Sequence, residues 1–147
     1  MSETPSPRQI ADWMQEHDRY ARLLGMRVEE VAPGSCRVGM TVTADMLNSV
    51  GITHGGVTFG LADFAFAVAS NSHGRVAVAL NAQINYPAAS RKGERLTAEA
   101  RELSRSGRTG LYSIEVRTAA GDLAALFTGT VFRRSDNISE WMEKPHP

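Results

Sequence analysis

Between residues 7 and 24 the apolar positions Ile10, Trp13, Met14, Tyr20, Leu23 and Leu24 recur at helical spacing, with Arg8, Asp12, Glu16 and Arg19 among the polar positions between them. Ser6 is placed to cap this helix with Pro7 at its first position, and Gly25 to stop it. The period then drops to two. Cys36, Val38, Met40 and Val42 alternate with Arg37, Gly39, Thr41 and Thr43; with residues 26–31 ahead of them and Pro33-Gly34 between, they predict a hairpin. Residues 44–56 carry Gly51, Gly55 and Gly56 with little periodicity and read as a loop. Residues 56–71 are apolar nearly all round and predict a long helix covered on most sides. Its small residues, Gly60, Ala62, Ala65, Ala67 and Ala69, let other elements approach closely.

The second half reads as strand. Leu80, Ala82, Ile84 and Tyr86 alternate with polar residues, as do Leu96, Ala98 and Ala100, and Tyr112, Ile114 and Val116. Turn signals at 87–93, 106–107 and 119–122 separate them, and the apolar run 123–132 closes the set. The polar, Pro-ended segment after Arg134 is expected to be mobile or docked on a partner. The pattern as a whole predicts an α+β architecture, about six antiparallel strands with one buried helix against one face. It divides into a single domain over 1–134 and a C-terminal tail over 135–147.

Composition narrows the function. Sixteen basic and sixteen acidic residues cancel, which excludes a large sequence-independent affinity for nucleic acid or an anionic membrane surface. All the cations but Lys92 and Lys144 are Arg, a bias towards paired or anion-binding cations. With 42% apolar residues a packed core is available. The lone Cys36 excludes a disulfide scaffold and fits a reducing, cytoplasmic setting; it belongs to the core of its strand. The polar N-terminus lacks the apolar segment of a secretory signal. The weakly charged stretch 55–72 carries Asp63 at its centre and falls short of the roughly 20 apolar residues a bilayer needs. His17, His54, His73 and His146 show no i,i+4 pairing, so no His-based metal site is expected.

Asp63 is the sharpest chemical clue. It is the only charge in that stretch and lies too deep in the predicted helix to cap it. An unpaired buried carboxylate costs several kcal/mol or shifts its pKa upward, so it has either a partner or a function. His54-Gly55-Gly56 is the second clue, because paired glycines entering a helix leave N–H groups and a dipole that favour an anion or oxyanion. His54 is equally a loop histidine bonded to its neighbours. Gly55 and Asp63 are separated by about 12 Å along a helix. If both act on one substrate carbonyl, two copies of the helix must contribute, and the site lies between two chains. Arg105, Arg108 and Arg91 with Lys92 fall at turns between late strands, either a solvated rim or a hold on the phosphates of a nucleotide-bearing substrate. No serine-hydrolase elbow, Walker or dinucleotide-binding glycine pattern occurs.

These residues resemble the signature of hotdog-fold acyl-CoA thioesterases of the PaaI type, the phenylacetic acid degradation family. The likeness runs through Asn48-x-x-Gly51-x-x-His54-Gly55-Gly56, Phe59-x-Leu61-Ala62-Asp63-x-Ala65-Phe66-Ala67 and Asn71-Ser72. It continues through Asn85-Tyr86, Gly93-x-x-Leu96-x-Ala98-x-Ala100, Arg108-Thr109-Gly110-x-Tyr112 and Ala125-Leu126-Phe127-x-Gly129, covering residues 20–134 in all. Pro87-Ala88-Ala89 departs from the Arg-Pro that many relatives place after the aromatic residue, so no CoA contact is carried over there.

The resemblance implies a long helix wrapped by a curved sheet, homodimers with shared active sites, and homotetramers. It implies hydrolysis of arylacetyl-CoA thioesters, phenylacetyl-CoA or its hydroxylated forms, without metal or cofactor. By position Asp63 matches the catalytic carboxylate, Gly55 the residue whose N–H polarises the thioester carbonyl, Asn48 the polar residue that positions carbonyl or water, and His54 the motif histidine. Gly56, Arg108 and Thr109 are expected to bind substrate. A thioesterase for medium- or long-chain acyl-CoA and a non-catalytic acyl-CoA-binding module are the alternatives; the chain has no room for the DNA-binding segment that regulators of that kind carry.

Overall fold

The computed structural model describes residues 3–145; Met1, Ser2, His146 and Pro147 lie outside the described residues. Ser6 caps α1 (Pro7–His17) as its position predicts. Its Oγ accepts from the Gln9 N–H at 3.1 Å while Gln9 Oε1 accepts from the Ser6 N–H at 2.8 Å, so two orphan donors are satisfied reciprocally. The single helix predicted over 7–24 is in fact two. Asp18 leaves helical geometry (φ −78°, ψ 100°), and its carboxylate accepts from the Ala21 N–H at 2.9 Å to cap α2 (Arg19–Leu23). A short side-chain acceptor competes with the backbone ladder and restarts the helix. Gly25, at φ 71°, then turns the chain out.

Strands β1 (Arg27–Ala32) and β2 (Ser35–Thr41) form the predicted hairpin, and α3 (Gly55–Asn71) is the predicted long helix. After it come β3 (Arg75–Asn85), β4 (Arg95–Ser106), β5 (Thr109–Thr118) and β6 (Leu123–Asn137). The six strands pair antiparallel in the order β1-β2-β4-β5-β6-β3, and every strand packs on α3. Inward residues of each period-two run, Val38 and Met40, Leu96 and Ala98, Ile114 and Val116, Phe127 and Val131, meet Leu61, Ala62, Ala65, Phe66, Val68 and Ala69 of the helix. Phe66 packs between Tyr112 and Phe127, with ring centroids 5.7 and 5.5 Å away. It fits because residue 129 is glycine: a Cβ there would lie 2.6 Å from the Phe66 ring. Cys36 is core, as its strand position predicts; burial pushes its thiol up to about 12.

Two expectations are corrected. The alternation Leu80-Ala82-Ile84-Tyr86 predicts one inward face, yet Leu80 and Tyr86 are exposed while Ala82 and Ile84 lie half-buried on the core. For Leu80 the cause is a register shift between Ala79 and Asn81, a bulge on a strand that forms the edge of the sheet, while Tyr86 lies just past the end of β3. The tail over 135–147 is folded onto its own chain as far as it is described. β6 runs on to Asn137, and α4 (Ile138–Met142) buries Ile138 beside Ile10 and Val76. Ile138, Trp141 and Met142 stand at i, i+3 and i+4, an apolar stripe too short to stand out among polar neighbours. No helix among the described residues is long and apolar enough to cross a membrane.

Candidate active site

The loop ahead of α3 is tightly built. A 3-10 turn (Ala44–Met46) leads to a bridge between Leu47 and Thr53. Inside it Asn48 Oδ1 accepts from the Val50 and Ile52 N–H groups at 3.1 and 3.2 Å, with Gly51 at φ 80°. The loop is tied to the rest of the sheet through Thr53, whose N–H donates to the Ser90 carbonyl at 2.9 Å and whose Oγ1 accepts from Ser90 Oγ at 2.6 Å. His54 is the N-cap of α3. Its Nδ1 accepts from the Gly56 N–H at 2.9 Å, so the ring is neutral at that nitrogen. The helix start read as bare from the sequence is therefore half closed: the Gly56 N–H is taken by His54. Gly55 is held from the other side, its carbonyl accepting from the Tyr86 hydroxyl at 2.9 Å. Its N–H has no hydrogen-bond partner among the described residues and stands at the positive end of a long helix.

A little over two turns further on stands Asp63. α3 is buried on all sides except for one stripe, formed after Gly55 by Gly56, Phe59, Gly60, Asp63 and Ala67. Asp63 makes no hydrogen bond or ion pair among the described residues, which excludes the capping or Arg-paired roles that would make it structural. Burial raises its pKa above the ordinary carboxylate value, and the nearby Asp18 charge raises it further. Gly55 and Asp63 share one rigid helix, so the separation of about 12 Å is fixed.

Arg108 and Thr109 lie at the opposite end. Thr109 pairs with Phe132, which on its other side pairs with Val78; Asn85, next to the Tyr86 that holds Gly55, pairs with Leu126. Seven residues of β3 therefore separate the two levels, about 23 Å of strand. One chain does not bring Arg108 and Gly55 together. Arg91 and Lys92, grouped with Arg108 by sequence, sit with the Ser90 loop at the Gly55 end; the structure separates the two halves of that cluster. Arg108 instead shares a cleft of about 440 Å³ with Arg75, Arg133 and Arg134. Burial lowers the Arg133 pKa, and the like charges of Arg105 and Arg75 lower it further. Asp136, bound to Arg134 at 2.9 Å, is the one acid lining that cleft.

Sequence reasoning missed Tyr86 as the support of Gly55 and the approach of Asp18 and Tyr20 to the open stripe. Tyr86 was legible as a strand residue and as part of the family signature but not as a partner of Gly55, and the break at Asp18 redirects the second helix. Among the described residues no cluster of three or more His, Cys, Asp or Glu is placed to hold a metal ion.

An all-antiparallel six-stranded sheet packed on one long helix is the hotdog fold of the thioesterases. The thioesterase superfamily model matches residues 50–125, and the chain belongs to that family. Among the proteins it resembles are relatives of the PaaI type. It is 40% identical over 131 residues to the acyl-coenzyme A thioesterase PaaI of Escherichia coli K12, covering 89% of this chain and 94% of that protein. The solved structure of E. coli PaaI, from the phenylacetic acid degradation operon, superposes with a TM-score of 0.88 over 92% of this chain and 99% of that one. A mutant of the phenylacetic acid degradation protein PaaI of Thermus thermophilus is 45% identical, with a TM-score of 0.76 over 78% of this chain and 98% of that one. A Streptococcus mutans UA159 protein solved bound to acetyl CoA is 28% identical, with a TM-score of 0.72 over 74% of this chain and 88% of that one.

Proposed function

We propose that the protein hydrolyses arylacetyl-CoA thioesters, phenylacetyl-CoA and its hydroxylated forms, to the free acid and CoA. The observation that carries this reading is Asp63: a half-buried carboxylate with no partner in its own chain, on the one stripe of α3 left open. Thioester hydrolysis needs an activated nucleophile and a stabilised oxyanion, while the thiolate leaves without help from a strong acid. Asp63 supplies the first. As a base it takes a proton from water, whose oxygen bonds to the carbonyl carbon as the C–S bond breaks; as a nucleophile its own oxygen makes that bond and water then cleaves the anhydride. The Gly55 N–H supplies the second, and loss of one such donor lowers rates by about 10² to 10³. His54 aligns that donor by capping the next one, and Asn48 holds the loop that delivers both.

Because Gly55 and Asp63 cannot reach one carbonyl within a chain, the site is built by two. A two-fold pairing along the exposed β3 edge sets two α3 helices antiparallel, so that the Gly55 end of one chain meets the Arg108 end of the other. In that arrangement Arg108 and Thr109 serve the CoA phosphates of a site whose oxyanion donor belongs to the partner. Pairing of two such dimers makes the homotetramer that the family likeness implies. The names of the PaaI relatives support the arylacetyl choice, and the acetyl-CoA complex supports CoA as the carrier. The test is free-CoA release over a panel of arylacetyl and alkyl CoA esters. Phenylacetyl-CoA is expected to give the highest kcat/KM, and Asp63→Asn to abolish turnover while CoA-ester binding persists. Preference for medium- or long-chain esters would replace the substrate class; turnover by folded Asp63→Asn equal to wild type would remove Asp63 from the chemistry.

A further inference from the structure

The open stripe of α3 has a wall on one side, and the start of α2 builds it. A Cβ placed on Gly60 would lie 2.6 Å from Tyr20 Cε1 and 3.1 Å from its hydroxyl oxygen, so the Tyr20 ring rests on bare helix backbone one turn before Asp63. Only glycine leaves room for it. Asp18, which caps the turn that presents Tyr20, is close enough for its charge to act on Asp63. Tyr20 is nonetheless 50% exposed, aromatic surface left beside the stripe. The Tyr20 hydroxyl has no hydrogen-bond partner among the described residues.

We propose that Tyr20 is a specificity-determining residue whose ring, seated on Gly60, is the wall against which the acyl group packs when its carbonyl carbon lies at Asp63. The inference rests on the thioesterase reading above and deepens it. An arylacetyl group carries its ring one methylene beyond the carbonyl carbon, on the scale of the three helical residues, about 4.5 Å, between Gly60 and Asp63. Two aromatic rings in offset or edge contact gain free energy beyond their buried area, which a flexible alkyl chain does not. A planar acyl group is therefore favoured, and the unpartnered phenol faces a ring hydroxyl where the substrate has one.

The experiment compares kcat/KM for phenylacetyl-CoA with that for hexanoyl-CoA in wild type, Tyr20→Leu, Tyr20→Phe and Gly60→Ala, each checked for folding by circular dichroism and melting. Gly60→Ala favours the helix itself, and the three atoms nearest its new methyl all belong to Tyr20, so it displaces the ring without altering it. The aryl-to-alkyl ratio is expected to fall roughly tenfold in Tyr20→Leu and in Gly60→Ala, and to stay within about twofold of wild type in Tyr20→Phe. A ratio unmoved in folded Tyr20→Leu and Gly60→Ala, including equal losses on both esters, overturns the proposal. If Tyr20→Leu does not fold, Gly60→Ala decides alone. A wild-type protein that hydrolyses no CoA ester sinks the thioesterase reading and this inference with it. One that turns over hexanoyl-CoA with a ratio indifferent to Tyr20 sinks this inference alone.

Discussion

Protomers carrying Asp63→Asn and protomers carrying Asn48→Ala should be poor catalysts apart and active together. A donor at hydrogen-bond distance from the carbonyl oxygen, the C=O bond, and a carboxylate at attack distance from the carbon together span about 8 Å at full stretch. The Gly55 N–H and Asp63 stand about 12 Å apart on one helix, so the shortfall is about 4 Å, too large for a side-chain rotation to close. In the proposed shared site, Asp63 comes from one chain and the Asn48–Gly55 loop from the other. In either homodimer every site carries one lesion, and loss of a general base alone lowers the rate by about 10² to 10⁴. In a mixed dimer one site collects both lesions and the other collects none. Random reassembly makes half the dimers mixed, so the mixture should recover about one quarter of wild-type activity, and dimers purified through two different tags about one half. The assay is thiol release from phenylacetyl-CoA by the doubly tagged species. Mixed dimers as inactive as their parents would place each site within one chain and refute the spacing argument.

The remaining expectations concern single substitutions. Asp63 has a folded-state pKa above its ordinary value of 3.8, so its ionisation destabilises the fold as pH rises through that value and up through the folded one. Asp63→Asn should thus raise stability at pH 7.5 and lose the advantage as pH falls towards 3.8; a Tm difference that does not change with pH would contradict this. His54→Ala removes the cap on Gly56 and should cost about 1 kcal/mol in denaturant melts, while His54→Asn, which can accept the same bond, should recover most of it. If His54→Asn restores stability but not kcat, the imidazole touches substrate. Arg108→Ala should raise KM for CoA esters about tenfold and spare thioesters that lack the nucleotide, because a charge-assisted bond to phosphate is lost only in the former. Equal losses on both would leave Arg108 as a rim residue.

The elements were legible where local rules and burial agree. Ser6 before Pro7, the period-two runs flanked by glycine and proline turns, and an apolar run around Asp63 each fix an element without reference to its neighbours. The same rules misled where a single residue changes the outcome. Asp18 caps a new helix inside an apolar run, and a bulge between Ala79 and Asn81 turns Leu80 outward; neither changes composition or period. Asp63 stood out because a lone charge is rare in such a helix, and Gly55 because its glycine pair, common by itself, opens that same helix. Tyr20 and Tyr86 did not, because each acts on a glycine far away in sequence, and only the folded chain brings them together.

The helix that carries Asp63 is also the element on which every strand of the sheet packs. Its inner faces cannot be redrawn to suit a new substrate without unpicking the core, as the fit of Phe66 over Gly129 makes plain. What can change is the cover over its one open stripe: the second helix, the loop before α3, and whatever chain lies against the β3 edge. A lineage built on this plan would diversify its acyl range by editing those attachments and leave the catalytic helix untouched. A designer seeking a new thioester substrate would do best to begin at the exposed positions of residues 18–23, leaving the buried Ala21 in place.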